Sequence, residues 1–243
     1  MNYISLGFFC SVAMELEKYG LRKESSPFDW TISDFRGVIS AIENNFEDYV
    51  DYDSLIQSKD NRAWYKNDKY NIWFYHDFDR YKSLEKQIGR VQEKYLRRIK
   101  RFYLTISQPT LFIRYIDTES DTNGQSELEY IEENLERIMA LIKSFNAEND
   151  ILFIANEGVY SQKIKIYNVK KDEGDTVARN PVSDSPLLSE LFESFDSPDK
   201  QANIERYKAK QEKENSTFSF YKKKYERKLK KRLLKEYIHD KVC

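Results

Sequence analysis

The sequence predicts an α/β fold with three layers, in which a mostly parallel central sheet is flanked by helices and followed by a C-terminal helical appendage. Three near-continuous apolar runs, at residues 3–8, 110–116 and 150–155, are typical of strands that are buried on both faces. Stretches with apolar residues at helical spacing separate these runs, and strands that alternate with helices usually form parallel sheets. We therefore assign residues 1–198 to an α/β domain and residues 199–243 to a basic amphipathic helical tail.

The first half of the chain is predicted to contain a strand, two helices and a hairpin. The first strand is interrupted by Gly7, and a helix is expected to begin at Cys10 and to end at Gly20. Ser33 or Asp34 is a suitable N-cap for a second helix, whose apolar residues share one face. Two aromatic runs around a polar turn predict a hairpin that ends at His76, although the pattern also allows a parallel strand there.

The second half repeats the alternation of helices and strands. Helical spacing over residues 80–106 predicts a long helix with a strongly basic outer face, which ends before Pro109. Ser126 and Glu129 form the pattern of a capping box at the start of the next helix. Residues 163–169 alternate between polar and apolar side chains, which is typical of a more exposed edge strand.

The composition indicates a globular protein that depends on neither disulfides nor a structural metal. The chain has 243 residues, of which 40% are hydrophobic and 33% are charged, so it is long enough to bury a full core. The two cysteines, Cys10 and Cys243, lie at opposite ends of the sequence, which predicts no disulfide framework and no zinc site. Because no apolar run reaches the length of a membrane span, a reducing cytoplasm is the simplest localisation.

The net charge of −1 conceals an asymmetry between the tail and the rest of the chain. Residues 200–243 contain 15 basic and 6 acidic residues, a net charge of +9, whereas the remaining residues have a net charge of −10. Residues 218–238 would form a helix with an apolar stripe and a basic face, a pattern typical of helices that bind anionic lipid. The tail therefore either packs on the acidic body or holds the protein at the inner membrane face. Nucleic acid is a less suitable partner, because the acidic body would repel it.

Cys10 and His76 are the strongest candidates for chemistry. Cys10 is predicted to lie between a strand and a helix, where the unpaired amides and the dipole of the helix lower the pKa of a thiol. A cysteine nucleophile needs a nearby base, and His76 is the suitable one because the other histidine, His239, lies in the charged tail. Burial of a small side chain at a helix start is an equally good interpretation of Cys10 from its position alone.

A catalytic histidine is in turn oriented by a third side chain. The candidates for that role are Asp29, Asp77, Asp117 and Asn156. Asn156 follows a buried strand and Asp29 lies between two aromatic residues, so these two are favoured and the choice between them stays open.

A further set of residues could contact a substrate. It consists of Ser11, Trp30, Asp77 and Arg114. Arg114 interrupts an apolar strand, and a buried arginine must be paired. A buried ion pair explains Arg114 better than a substrate contact does.

Several short motifs occur in a fixed order along the first part of the chain. They are Ser5-Leu6-Gly7, Cys10-Ser11-Val12-Ala13, Leu21-Arg22, Pro27-Phe28-Asp29-Trp30, His76-Asp77-Phe78, Arg101-Phe102 and Leu111-Phe112-Ile113-Arg114. Together they resemble a bacterial family of papain-like cysteine peptidases of uncharacterised function, over residues 1–170. The resemblance implies a thiol nucleophile at Cys10 and a base at His76. Papain-like enzymes place the cysteine at the start of a helix and the histidine on a later sheet.

Members of that family often accompany surface-polysaccharide genes, which implies glycan or acyl-group chemistry as readily as proteolysis. Three functions are therefore considered. The first is a thiol-dependent hydrolase that cleaves a peptide, amide or thioester with water alone. The second is a glycan acyltransferase that would need a donor such as acyl-CoA, and the third is a domain that binds a ligand without catalysis. No other cofactor is expected.

Overall fold

The computed structural model describes residues 1–119, 122 and 124–215, and strands alternate with helices along most of that length. In chain order the elements are β1 (Asn2–Ser5), α1 (Cys10–Lys18), β2 (Thr31–Ser33), α2 (Phe35–Glu43), β3 (Leu55–Gln57), β4 (Tyr65–Asn67), β5 (Ile72–Phe74), a 3-10 turn (Leu84–Lys86), α3 (Ile88–Ile106), β6 (Thr110–Tyr115), α4 (Glu127–Phe145), β7 (Asp150–Asn156), β8 (Ile166–Val169) and α5 (Pro186–Ser194).

Four strands form a parallel sheet in the order β1-β6-β7-β8. In its register Ile4 lies opposite Phe112, and Ile113 lies opposite Leu152. β1, β6 and β7 correspond to the three apolar runs, and β8 corresponds to the alternating segment that was expected at an edge. The parallel sheet predicted from the sequence is therefore confirmed.

The other four strands form a separate antiparallel sheet in the order β2-β5-β4-β3. β4 and β5 are the predicted hairpin, and β2 pairs with β5 on its other side. The prediction of one mostly parallel sheet is thus wrong for this part of the chain. Each of these strands has three residues, which is too short for side-chain alternation to reveal its sheet. The three-layer arrangement stays a prediction.

Local side-chain bonds explain several element boundaries. Asp34, one of the two predicted caps, caps α2, and the Ser126–Glu129 capping box begins α4 as predicted. The long helix begins at Ile88 rather than at residue 80, because the side chain of Gln87 holds the preceding segment as a loop. The Gln87 side-chain amide accepts a hydrogen bond from the N–H of Asp79 at 2.7 Å and donates to the Asp79 carbonyl oxygen at 3.1 Å.

Side chains of β6 alternate between two hydrophobic clusters. Phe112 belongs to a cluster that includes residues of α2, α3, α4 and the antiparallel sheet. Ile113 and Tyr115 belong to a second cluster that includes residues of α1 and α5. Burial of both faces of β6 explains its near-continuous apolar sequence. Packing on both faces also fixes the position of β6 and of its neighbour β1, the strand that leads to Cys10.

The part of the tail that is described contacts the body. Residues 200–215 are helical, and the Asn203 amide donates a hydrogen bond to the carbonyl of Gly20 at 3.1 Å. The predicted lipid-binding segment at residues 218–238 lies outside the described residues, as do the second cysteine and the second histidine. No helix in the described part of the chain is long and apolar enough to cross a bilayer.

Candidate active site

Cys10 is the first residue of α1 and follows β1 after a short turn. Since β1 is a parallel strand, this turn lies at the carboxyl edge of the sheet, where α/β proteins place their sites. The N-cap residue Phe9 is extended and makes no side-chain capping bond, so the amides of the first turn have no capping side chain. The position predicted for Cys10 is confirmed.

Cys10 and His76 line the same cavity, which has a volume of about 260 Å³. The cavity lies between the start of α1, the edge strand β2 and the segment that follows β5. Its lining is mostly aromatic and carries no carboxylate, lysine or arginine among the described residues. The lining residues are Phe9, Cys10, Trp30, Thr31, Ile32, Trp64, Tyr75 and His76.

The environment of Cys10 favours the neutral thiol. Burial raises the pKa of the Cys10 thiol, and hydrogen bonding to its own backbone N–H opposes that shift without cancelling it. The lowered pKa that we expected from the helix start is therefore wrong, because loss of solvent outweighs the favourable amide. Within the described part of the chain, no hydrogen bond joins the Cys10 sulfur to the His76 imidazole.

His76 is exposed and lies just beyond β5, which is a strand of the antiparallel sheet. Its ring contacts Trp30 edge to face, with the ring centroids 6.2 Å apart and the ring planes at 89°. The guanidinium carbon of Arg22 lies 5.3 Å from the centroid of the Trp30 ring. An arginine over an indole face is a favourable cation–π contact. Trp30 is therefore held between Arg22 and the imidazole.

Comparison with known proteins identifies a family for the region that carries this site. A family model described as "Putative papain-like cysteine peptidase" matches residues 1–157, which include both Cys10 and His76. The chain belongs to this family. Uncharacterized protein R408 of Acanthamoeba polyphaga mimivirus is 30% identical over 174 residues, which cover 63% of this chain and 77% of the viral protein. No solved structure matches the chain.

The papain-like family name fits the order of the two side chains in the structure. A cysteine begins a helix and a histidine follows a strand of a later sheet, which is the arrangement that the resemblance implied. The similar protein R408 is viral. This similarity therefore gives no support to a bacterial origin or to a surface-polysaccharide context.

Asp29 of this papain-like protein does not contact His76 by a hydrogen bond. Its carboxylate is 1% exposed and accepts hydrogen bonds from Arg22 at 2.8 Å and from the hydroxyl and N–H of Ser26 at 2.7 and 3.0 Å. Arg22 also lies over the Trp30 ring, so Asp29 is linked to His76 through Arg22 and Trp30. Its role as the group that orients the base stays a prediction.

Asp77 follows His76 directly, but its side chain turns to α3. Its carboxylate forms an ion pair with Lys94 and accepts a hydrogen bond from the Tyr95 hydroxyl at 3.1 Å. Asp77 is also 4% exposed and does not line the cavity, and its role as a substrate contact stays a prediction. Its pairing anchors the segment that carries His76 to α3.

Asn156 lies at the end of β7, as predicted, but its side chain makes hydrogen bonds to segments other than the one that carries His76. Its amide oxygen accepts a hydrogen bond from the Tyr115 hydroxyl at 2.6 Å, and its amide nitrogen donates to Thr118 at 3.1 Å and to the carbonyl of Thr176 at 3.0 Å. No described side chain, Asn156 included, makes a hydrogen bond to His76. The fourth candidate for orienting His76 is Asp117, whose carboxylate accepts a hydrogen bond from the backbone N–H of Glu119 at 3.0 Å.

Arg114 is fully buried and joins the two sheets. Its Nε and Nη2 donate to Glu127 at 2.8 and 2.5 Å, and the remaining N–H groups bond the carbonyl of Leu6 and the carbonyl and hydroxyl oxygens of Ser33. All five donors of the guanidinium are therefore satisfied internally. The buried ion pair favoured by the sequence accounts for Arg114 without a substrate.

Ser11 is 3% exposed and lies behind Cys10 rather than in the lining of the cavity. Its hydroxyl has no hydrogen-bond partner among the described residues. Trp30 is thus the one residue of the four candidate substrate contacts that lines the cavity. Sequence reasoning missed five lining residues, which are Phe9, Thr31, Ile32, Trp64 and Tyr75. Only Phe9 and Tyr75 carried a signal that could have found them, because they are aromatic and adjacent to Cys10 and His76.

Proposed function

We propose that the protein is a thiol-dependent hydrolase that cleaves an amide, peptide or thioester bond, with Cys10 as nucleophile and His76 as general base. The observation that carries this proposal is that both side chains line one cavity at the carboxyl edge of the parallel sheet. The family description supports cysteine peptidase chemistry. A cavity of this kind, with a nucleophile and a base, is the usual form of an active site.

The thiol chemistry follows from the environment of Cys10. Because burial disfavours the thiolate, the resting group is the thiol, and His76 takes its proton as sulfur attacks the carbonyl carbon. The uncapped amides at the start of α1 would stabilise the oxyanion. The imidazolium then protonates the leaving amine or thiol as its bond to the carbonyl carbon breaks. His76 then deprotonates a water that attacks the acyl carbon. The carbon–sulfur bond breaks, the acid leaves, and the imidazolium returns the proton to the Cys10 sulfur.

A domain that only binds a ligand is the second candidate, and it is favoured by the raised pKa of Cys10. Transfer of the acyl group to a glycan would use the same first half-reaction, with a sugar hydroxyl in place of water and acyl-CoA as donor. The binding domain and the acyltransferase each predict an experimental result that differs from the result for a hydrolase. A binding domain shows no dependence of thiol reactivity on His76, and an acyltransferase releases product only when an acceptor is added.

The test measures alkylation of Cys10 by iodoacetamide in a Cys243→Ser background, in which Cys10 is the sole thiol. His76→Asn is expected to lower the rate at neutral pH by about 10²-fold, the lower end of a general-base contribution. His239→Asn is the matched control and should leave the rate unchanged. An unchanged rate in His76→Asn would exclude the hydrolase and favour the binding domain. Hydrolysis of fluorogenic amide and thioester panels by water alone then separates hydrolase from acyltransferase.

A further inference from the structure

A second cavity, of about 350 Å³, adjoins the one that contains Cys10. Both cavities are lined by Phe9 and Ile32, so these two side chains form the boundary between them. The remaining lining of the second cavity comes from Phe8 and from the segment of residues 175–179. The two cavities therefore lie side by side across Phe9 and Ile32, and the first of them contains the thiol.

The linings of both cavities are mostly apolar. Phe8, Phe9, Ile32 and Val177 line the second cavity, and the first has a mostly aromatic lining. Charge occurs only at the rim of the second cavity, where Arg179 and Asp175 form an ion pair of 2.8 Å with each other. A pocket of this chemistry favours hydrocarbon over charged groups.

The outer wall of the second cavity is tied to the body of the protein. The carbonyl of Thr176 accepts a hydrogen bond from Asn156 at 3.0 Å, and the N–H of Ala178 donates to the Tyr115 hydroxyl at 3.0 Å. Further along, the Ser183 N–H donates to the carboxylate of Glu15, in α1, at 2.6 Å. These bonds hold residues 175–179 against β6 and β7 and tie the chain beyond them to α1, so the cavity exists before any ligand binds.

This wall lies beyond the family match, which ends at residue 157. Asn156, near the end of that match, donates a hydrogen bond to Thr176 in the segment 175–179.

We propose that the acyl group of the substrate is a long hydrocarbon chain, which runs from Cys10 across Phe9 and Ile32 into the second cavity. This inference rests on the proposed thiol chemistry and names its substrate class. A hydrocarbon fits better than a peptide, because buried peptide amides need hydrogen-bond partners that the apolar lining does not supply. The acyl chain leads away from the carbonyl carbon that Cys10 attacks.

The test uses N-alkyl chloroacetamides of increasing chain length on the full chain with Cys243→Ser. In the labelling step a bond forms between the Cys10 sulfur and carbon, chloride leaves with the electron pair of the broken bond, and the thiol proton passes to solvent. Each rate is divided by that of glutathione with the same reagent. A decyl reagent is expected to label Cys10 at least about tenfold faster than a propyl one, since one buried methylene is worth about fourfold.

Val177→Asp should abolish this chain-length preference, while Leu187→Asp, at an exposed position, should keep it. Labelling by iodoacetamide, which is too short to reach the second cavity, is measured in each variant and shows whether the fold and the thiol are intact. Equal normalised rates for propyl and decyl reagents, or a preference that survives Val177→Asp, would overturn the proposal. So would faster labelling by a chloroacetyl-Leu-Leu amide than by the decyl reagent. Failure of the proposed thiol chemistry itself is detected by a separate measurement, the rate of Cys10 alkylation by iodoacetamide in His76→Asn.

Discussion

The Trp30 ring meets the His76 imidazole edge to face, with the ring centroids 6.2 Å apart and the planes at 89°. Arg22 lies over the Trp30 ring at 5.3 Å and is itself paired with Glu17 at 2.5 Å and with Asp29 at 2.8 Å. Two carboxylates therefore fix an arginine, the arginine fixes an indole, and the indole borders the proposed base. Among the described residues, His76 has this ring contact and no hydrogen bond from an acidic side chain.

This relationship predicts that Trp30 is a positioning residue for His76. Trp30→Ala should lower the rate of Cys10 alkylation at neutral pH by about tenfold, part of the 10²-fold general-base effect. Trp30→Phe, which keeps an aromatic edge, should recover most of the rate. The measurement is the pH profile of alkylation, because a purely structural effect would scale the profile without changing its shape. Trp73→Phe, at a position outside the lining of the cavity, is the control.

The ionisation of Cys10 gives a second prediction. Because burial raises the pKa of the Cys10 thiol, the folded protein should form the thiolate at higher pH than the same chain in urea. The titration is followed by the ultraviolet absorbance of the thiolate, as the difference between Cys243→Ser and Cys243→Ser with Cys10→Ser. A folded midpoint below the unfolded one would contradict the dominance of burial and would indicate a preformed thiolate–imidazolium pair.

The buried pair of Arg114 and Glu127 predicts a large loss of stability when one partner is removed. Arg114→Met leaves the Glu127 carboxylate, which is 2% exposed, without its cation, and should lower the free energy of unfolding by about 3–5 kcal/mol. Adding Glu127→Gln should restore part of the loss. The exposed pair of Arg137 and Glu43 is the control, and Arg137→Met should cost less than about 1 kcal/mol. Urea unfolding measures all three.

Replacement of Gly7, in the turn between β1 and Cys10, is expected to cause a steric clash. Its φ is +83°, and a Cβ there would lie 2.3 Å from the Oγ of Ser33, which Arg114 holds in place. Gly7→Ala should therefore lower stability by about 1–3 kcal/mol more than Gly158→Ala, because it adds overpacking to the backbone strain. Gly158 has a φ of +89° with no atom within 4 Å of an added Cβ, so it reports the backbone strain alone. Equal losses of stability in urea would contradict the close contact.

Much of the fold could be predicted because the relevant signals are local. The apolar runs of β1, β6 and β7 reflect burial on both faces, and the Ser126–Glu129 box is a bond between near neighbours. The position of Cys10 at the start of α1 follows from the glycine that interrupts the first apolar run. Each of these features depends on residues that are adjacent or one helical turn apart.

The sequence by itself thus determined the parallel sheet and the helix that begins at Cys10, and it favoured a buried ion pair for Arg114. Only the tertiary structure decided that His76 follows a strand of a second, antiparallel sheet and shares a cavity with Cys10. It also decided that Asp29 binds Arg22, that Asn156 binds Thr176, and that burial raises the pKa of Cys10. These outcomes depend on which distant segments pack together and on how much solvent they exclude, and neither quantity is present in local spacing.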